Sequence, residues 1–167
     1  EWGYVGKVGD FLLGSAVKKG GIRRDYGHGG IREAYWDNRP PVCSDSLFAI
    51  APRTGKPAWT YLPADGGSIV NSSIAAGPEG LHFVESPTPS KEGRVSYDEI
   101  LGNGKGHLVT LDLNSGKTIR RIPLPAKKAV QSLYLVTAKG VLAVVNSRNE
   151  KTVRYDVRAY DAKDGKL

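Results

Sequence analysis

Apolar residues along this chain fall in short runs, most of which alternate with polar residues and end near a glycine or proline. Such alternation is typical of half-buried β-strands, and the 21 glycines and 10 prolines interrupt every stretch before a ten-residue helix could form. The pattern predicts strands at Tyr4–Val8, Phe11–Ala16, Ser46–Ile50, Ala58–Tyr61, Ile69–Ala75, Leu81–Val84, Leu108–Asp112, Thr118–Ile122, Val130–Thr137, Val141–Val145 and Thr152–Tyr160. Many short strands between turn residues indicate an all-β fold.

One pattern occurs three times: an alternating strand, a turn that ends in Gly-Lys, and the start of a second strand. The copies lie at 47–59, 108–119 and 157–167, and their turn glycines are Gly55, Gly116 and Gly165. Glycine can take the positive φ that closes a hairpin turn, and Asp112 or Asp161 can accept hydrogen bonds from turn amides. The glycines are 61 and 49 residues apart, which are the periods of β-propeller blades lengthened by insertions.

Four strands per period divide the chain into blades of one β-propeller domain over residues 1–167. Blade 1 covers about 4–61 with an insertion at 17–45, blade 2 about 68–122, and blade 3 about 129–167 without its fourth strand. The sequence therefore predicts a partial propeller of nearly three four-stranded blades. Open sheet edges at Tyr4–Val8 and near Val153–Tyr160 invite pairing with another chain or self-association.

The repeat positions of the three copies carry a common set of residues: Ala49, Thr54, Gly55, Lys56 and Trp59 in the first, Asp112, Gly116 and Lys117 in the second, Ala159, Asp161, Gly165 and Lys166 in the third. This set resembles Ala-x-Asp-x-x-Thr-Gly-Lys-x-x-Trp, the repeat of the pyrroloquinoline-quinone-type β-propellers, also called quinoprotein-like or BamB-like. The copies depart from that repeat at Ala51, Ser115, Asp164 and Arg120. The resemblance implies a structural role for Thr54, Gly55, Trp59, Asp112, Gly116, Asp161 and Gly165, and it implies that Trp59 docks onto the turn of a neighbouring blade.

For function, the resemblance implies two main alternatives. The family includes non-catalytic binding and scaffold propellers, commonly periplasmic or secreted, and quinone-dependent dehydrogenases. In the dehydrogenases the quinone is held by a disulfide of adjacent cysteines, a stacking tryptophan and a calcium ion. Cys43 is the only cysteine, and no Glu/Asn/Asp set with calcium spacing stands out.

We therefore expect a binding or scaffold module, periplasmic or extracellular, with no catalytic residue, metal or cofactor. The alternative is a fragment of a pyrroloquinoline-quinone-dependent dehydrogenase whose cofactor site, with its calcium, lies in missing blades. A third interpretation is a blade module appended to another enzyme, with the chemistry elsewhere.

Composition and charge narrow the class of partner. Of the 167 residues, 40% are hydrophobic and 25% charged, which indicates a globular chain, and no apolar run is long enough to span a membrane. The net charge is +7, and basic residues are concentrated at 18–39 and 117–128. These stretches indicate either a solvated surface or a site for an anionic polymer or lipid surface. Nucleic acid is not favoured, since no recognised nucleic-acid-binding motif is present.

The 17–45 insertion is the candidate binding site, because long irregular loops often carry function. The candidate ligand-binding residues are its aromatic and basic side chains: Arg23, Arg24, His28, Tyr35, Trp36 and Arg39. Aromatic side chains beside arginines suit sugars, carboxylates or stacked rings. The alternative is that Tyr35 and Trp36 fold back to cover the blade. We expect a protein partner or an anionic polymer here.

The remaining polar residues have structural interpretations. His82 lies in an apolar strand and is expected to be a hydrogen-bonded core histidine, and Cys43 a small buried group. The histidines lack metal-ligand spacing, so we expect no zinc. Glu85 with Asp98 and Glu99 forms either an acid pair or a set of solvated carboxylates.

Overall fold

The fold is all-β, as predicted, and consists of three antiparallel sheets. The structure, a computed structural model, describes residues 2–18, 41–90, 95–125, 130–149 and 151–167. Its strands are β1 (Trp2–Val8), β2 (Phe11–Ala16), β3 (Cys43–Ser44), β4 (Ser46–Ala51), β5 (Lys56–Tyr61), β6 (Ser68–Gly77), β7 (Gly80–Ser86), β8 (His107–Leu111), β9 (Thr118–Pro123), β10 (Val130–Ala138), β11 (Val141–Asn149) and β12 (Val153–Asp161). The first sheet has the order β1-β2-β4-β5, the second β3-β6-β7-β8-β9 and the third β10-β11-β12.

Every strand predicted from the alternation is present, with differences at the ends. Phe11–Ala16 has the predicted bounds, whereas β11 extends to Asn149, beyond the predicted end at Val145. The prediction missed β3, which pairs with β6 and gives the second sheet a fifth strand instead of the expected four. Two residues are too few to show any periodicity, so the end of the 17–45 insertion was not recognised as part of the neighbouring sheet.

A short helix, α1 (Tyr97–Leu101), was also missed. Ser96 caps it: its hydroxyl accepts a hydrogen bond from the amide of Glu99, and the Glu99 carboxylate accepts one from the amide of Ser96. This reciprocal capping box is visible in the sequence as Ser-x-x-Glu and was the signal that could have located the helix. Short 3-10 turns lie at Ala64–Gly66 and Gly102–Gly104.

The second sheet lies between the other two and buries both of its faces. The first core, between the first and second sheets, contains Leu13, Leu47, Ala49, Trp59, Ile69, Leu81, Phe83, Val109 and Leu111. The second core, between the second and third sheets, includes Val70, Val84, Tyr97, Ile100, Leu101, Leu108, Leu133, Leu142 and Val144. Alternate residues of β7 enter the two cores, as the period of two requires.

The first strands of the first and third sheets both lie next to β6 of the second sheet. β6 packs along β10 and also contacts β1. The Ser72 hydroxyl of β6 donates a hydrogen bond of 2.8 Å to the carbonyl of Leu133 in β10. Strands β5 and β9 lie at the opposite edges of their sheets.

Candidate functional site

The three repeat copies close with the same turn. Gly55, Gly116 and Gly165 have φ angles of 67°, 68° and 76°, which favour glycine. In the second and third copies an aspartate four residues before the glycine accepts hydrogen bonds within the turn. Asp112 Oδ1 accepts from the amide and hydroxyl of Ser115, and Asp161 Oδ1 accepts from two turn amides. The hydrogen bonds from Ser115 lower the pKa of Asp112. In all three turns the glycine amide also donates to the carbonyl four residues earlier, so the turns share one backbone form.

Trp59 joins the first sheet to the turn of the second. Its indole Nε1 donates a hydrogen bond of 2.9 Å to the carbonyl of Leu113, the residue after Asp112. The indole also lies flat on Gly116, because a Cβ built there would fall 2.6 Å from Trp59 Cδ2. Gly116 is thus required twice, once for its φ and once for the space that the indole occupies.

We call such a contact, between a side chain of one sheet and the turn of the next, a joint. Arg120 makes the equivalent joint between the second and third sheets. Its guanidinium donates to the carbonyl of Ala162 at 2.7 Å and to the carbonyl of Lys163. Ala162 follows Asp161 as Leu113 follows Asp112, so the same carbonyl of the turn is used. A Cβ built on Gly165 would fall 2.6 Å from Arg120 Nε. The arginine at the repeat's tryptophan position therefore occupies the place of the indole.

The turn of the first sheet receives no such side chain from the described residues. A Cβ built on Gly55 meets no atom of the described part of the chain within 4 Å. The joints also have one direction, since the first sheet donates to the second and the second to the third. Of the three turn glycines, Gly55 is therefore the one that no side chain of the described residues covers.

The outer face of the third sheet is apolar and exposed. We call it the sheet-3 face: Tyr134, Val136, Val145, Tyr155 and Val157. Tyr134, Val145 and Val157 are direct cross-strand neighbours, and Val157 is 64% and Tyr155 74% exposed. A row of aromatic and β-branched residues on a sheet is ordinarily found packed against another layer. No element of the described ranges covers it.

The outer face of the first sheet is the second open surface. We call it the sheet-1 face: Trp2, Val5, Gly14 and Phe48. Trp2 and Phe48 meet edge to face with ring centroids 5.3 Å apart. Both rings lie over Gly14, where a Cβ would fall within 2.8 Å of each. Trp2 is 55% and Val5 58% exposed.

The ligand-binding residues predicted in the insertion, Arg23, Arg24, His28, Tyr35, Trp36 and Arg39, lie outside the described residues. Their role stays a prediction. The described end of the insertion contributes to packing: Cys43 enters the second core, and Ser44 contacts Ser15 and Asn71 in a buried polar cluster.

Glu85 is buried in an ion pair, so its interpretation as a solvated carboxylate was wrong. Its side chain is fully buried beside the first core, and Arg121 NH2 lies 3.1 Å from Oε1. Tyr61 donates a hydrogen bond to Oε2. Burial, with Glu85 beside it, raises the pKa of Tyr61, so the phenol holds its proton. Glu99 caps α1 instead of joining Glu85.

Two further groups that carry chemistry in other proteins are core residues here. His82 is fully buried, and its Nδ1 lies 3.0 Å from the Thr110 hydroxyl, as expected for a core histidine. Burial lowers its pKa, and nearby Arg120 adds to the effect. Burial raises the pKa of Cys43 to about 12, which keeps it a neutral thiol.

Within the described part of the chain, no group of three or more His, Cys, Asp or Glu side chains is placed to hold a metal ion. None of the helices among those residues has the length and apolar character needed to cross a membrane. A scan of protein-family models and a search of curated proteins found no match to this chain.

Proposed function

We propose that this chain is part of a quinoprotein-like β-propeller and acts as a non-catalytic scaffold that binds a protein through its open sheet faces. The observation that carries the proposal is the pair of equivalent joints. Trp59 and Arg120, at the same repeat position, reach the same turn carbonyl of the following sheet. A repeated contact of this kind relates successive sheets by a common step, which is how blades follow one another in a propeller.

The order of the sheets supports the same proposal. Apart from β3, consecutive segments of the chain form consecutive sheets, and β6 of the second sheet contacts both β1 of the first and β10 of the third. Each neighbouring pair of sheets encloses its own apolar core. In a propeller the innermost strand of each blade lines the central axis, and the apolar cores lie between neighbouring blades.

A binding role is favoured over catalysis because the buried polar groups make contacts that hold strands and sheets together. Glu85 is engaged by Arg121 and Tyr61, and His82 is held in the core. Through these contacts Glu85 joins the first and second sheets, and His82 joins β7 to β8 through its Nδ1, while its Nε2 has no hydrogen-bond partner among the described residues.

A protein partner is favoured over an anionic polymer because two of the basic residues are engaged in contacts within the fold. Of the basic stretch at 117–128, Arg120 is docked on the Gly165 turn and Arg121 is paired with Glu85. Among the described residues, the sheet-3 and sheet-1 faces leave large apolar side chains exposed. Contiguous exposed apolar patches mark protein-interaction sites.

The experiment is site-specific photo-cross-linking in the cells that produce the protein. A photoreactive phenylalanine analogue replaces Tyr155 on the sheet-3 face or, as the matched control, Leu62, which is 69% exposed in the connection after β5. We expect a discrete protein adduct from position 155 and none from position 62. Equal labelling at both positions, or none at 155, would overturn the binding proposal.

A second measurement separates the proposal from the dehydrogenase alternative. The alternative places the cofactor site outside this sequence, so pyrroloquinoline quinone and calcium are added to the full-length protein as purified from the cells that produce it, and the visible spectrum is recorded. The scaffold proposal predicts the spectrum of free quinone. A saturable new absorption band would support the dehydrogenase alternative instead.

A further inference from the structure

We propose that the second and third sheets together bind one buried water molecule, held by Nε2 of His82, Oε2 of Glu79 and Oγ1 of Thr137. The site lies beside the turn of the β6–β7 hairpin, where this hairpin packs against β10. It is a binding site inside the fold. It goes beyond the proposed scaffold function and does not depend on it.

Three buried polar atoms at this place have no hydrogen-bond partner among the described residues. In the described part of the chain five buried side-chain atoms are unpaired in this way, and three of the five belong to Glu79, His82 and Thr137. An unpaired buried polar atom is costly, and ordered water commonly provides the missing partner. Three such atoms close together would each gain from one shared partner.

Gly77, at the end of β6, brings two of these atoms to one space. A Cβ built on Gly77 would fall 2.8 Å from Oγ1 of Thr137 and 3.5 Å from Oε2 of Glu79. A side chain at position 77 would therefore fill the space between the two sheets that both oxygens line. Glycine leaves this space to another group within hydrogen-bond reach of both oxygens.

His82 approaches the same space from β7. Its cross-strand partner in β6 is Ala75, and Gly77 is two residues further along that strand, so positions 75, 77 and 82 share one face of the hairpin. Burial and Arg120 lower the pKa of His82, while the Glu79 carboxylate acts in the opposite direction, which is the effect of a negative charge near the ring. The imidazole and the carboxylate therefore border the same part of the interior.

The hydrogen bonds on the other side of His82 assign its ring proton. Nη2 of Arg120 lies 3.4 Å from Oγ1 of Thr110, and a guanidinium can only donate, so the hydroxyl accepts there. The hydroxyl proton goes to Nδ1 of His82, 3.0 Å away, because the hydroxyl has no other acceptor among the described residues. The neutral ring then carries its proton on Nε2, which is a donor.

The donors and acceptors of this site match water. Water accepts the Nε2 proton of His82 and donates its own two protons to Oε2 of Glu79 and Oγ1 of Thr137. These are three hydrogen bonds, the usual number for a buried water. A metal ion would face the Nε2 proton, and an anion would face the Glu79 carboxylate. Bound water would link the β6–β7 turn to β10, beside the joint that Arg120 makes.

The first test uses the full-length protein, by high-resolution crystallography and by nitrogen-15 NMR of its histidine rings. We expect a solvent peak within about 3.2 Å of all three atoms. We also expect His82 to be a neutral ring protonated on Nε2. A direct hydrogen bond between His82 and Glu79, the absence of a solvent peak, or a ring protonated on Nδ1 would each overturn the inference.

The second test displaces the water. Gly77→Ala places a methyl group in the space, at a position where φ is not in the left-handed region. The solvent peak should disappear, and the Nε2 proton of His82 should exchange with solvent about 10-fold faster, because it loses its hydrogen-bond partner. Gly102→Ala is the matched control, since a Cβ there meets no atom within 4 Å, and it should leave the exchange rate unchanged.

Thr137→Val keeps the shape of the side chain and removes only its hydroxyl group, so it serves if the methyl group at position 77 disturbs the fold. It should also accelerate exchange of the Nε2 proton, because the water loses one of its three partners. Circular dichroism checks that each variant is folded. An exchange rate that stays at the parent value in Thr137→Val, or that rises equally in Gly77→Ala and Gly102→Ala, would contradict the proposed water site.

Discussion

The joint between the first and second sheets and the joint between the second and third use the same backbone and different side chains. At the first, Trp59 makes one hydrogen bond to the turn and covers Gly116. At the second, Arg120 makes two hydrogen bonds to carbonyls and covers Gly165. Indole and guanidinium are both planar groups with N–H donors at the edge. Both turns therefore accept a hydrogen bond from a planar donor group, which is uncharged in Trp59 and charged in Arg120.

The two joints differ in what else they contain. Trp59 is buried in the first core among leucines, valines and phenylalanine. Arg120 lies beside the Thr110 hydroxyl, which also contacts His82. The first joint should therefore contribute mainly apolar burial, and the second mainly hydrogen bonds with a dependence on pH.

The largest effect is expected from removing the indole. Trp59→Ala should lower the free energy of unfolding by about 3–5 kcal/mol, because a large buried aromatic side chain is replaced by a cavity. Urea unfolding followed by circular dichroism measures the change. Trp2→Ala is the control on an exposed indole, and it should cost under about 1 kcal/mol. Equal losses for the two variants would contradict the docking role of Trp59.

The next prediction separates two reasons for a glycine in these turns: the space that a neighbouring side chain occupies and the positive φ angle. Gly116→Ala should cost about 2–3 kcal/mol, since the new methyl group collides with Trp59 and the residue keeps a positive φ. Gly55→Ala has the same φ problem without the collision and should cost about 1 kcal/mol. The difference between the two midpoints in urea is the measurement. If the turn of the first sheet lost as much stability as that of the second, packing on Gly116 would not be the cause.

The charged joint should be weaker than the apolar one. Arg120→Ala is expected to cost about 1.5–3 kcal/mol, the usual range for hydrogen bonds that involve a charged group. Arg120→Trp restores the residue of the repeat and should recover part of this loss, whereas Arg120→Lys, without a planar donor group, should recover less. A lysine variant as stable as the parent would show that charge alone holds the joint.

The difference between the joints also shows what sequence patterns can and cannot reveal. Alternation located the longer strands because each has one or two buried faces, whereas β3, with two residues, was missed. The role of Arg120 was not predictable in this way, because its partners Ala162 and Lys163 are more than forty residues away and are backbone atoms of unremarkable type. The Glu85–Arg121 pair also joins residues far apart in the sequence, with a separation of 36 residues. The candidate binding residues of the 17–45 insertion stay a prediction.

The smallest effect, and the one specific to the second joint, is a dependence on pH. Burial and the nearby Arg120 hold the pKa of His82 below its usual value of 6.5. The neutral ring is therefore favoured in the folded state. As the pH falls below 6.5 the unfolded chain takes up a proton that the folded chain refuses, so stability is lost in acid. The loss is at most about 1.4 kcal/mol per pH unit for one proton.

His82→Gln isolates this contribution from the titration of the carboxylates, because the difference in unfolding free energy between parent and variant should change between pH 7 and pH 5 and stay flat above pH 7. Arg120→Ala removes the neighbouring positive charge and should weaken that pH-dependent difference, whereas Trp59→Ala should leave it unchanged. A pH dependence that survived in His82→Gln, or that responded equally to both joint variants, would show that the two joints are not distinguished by His82.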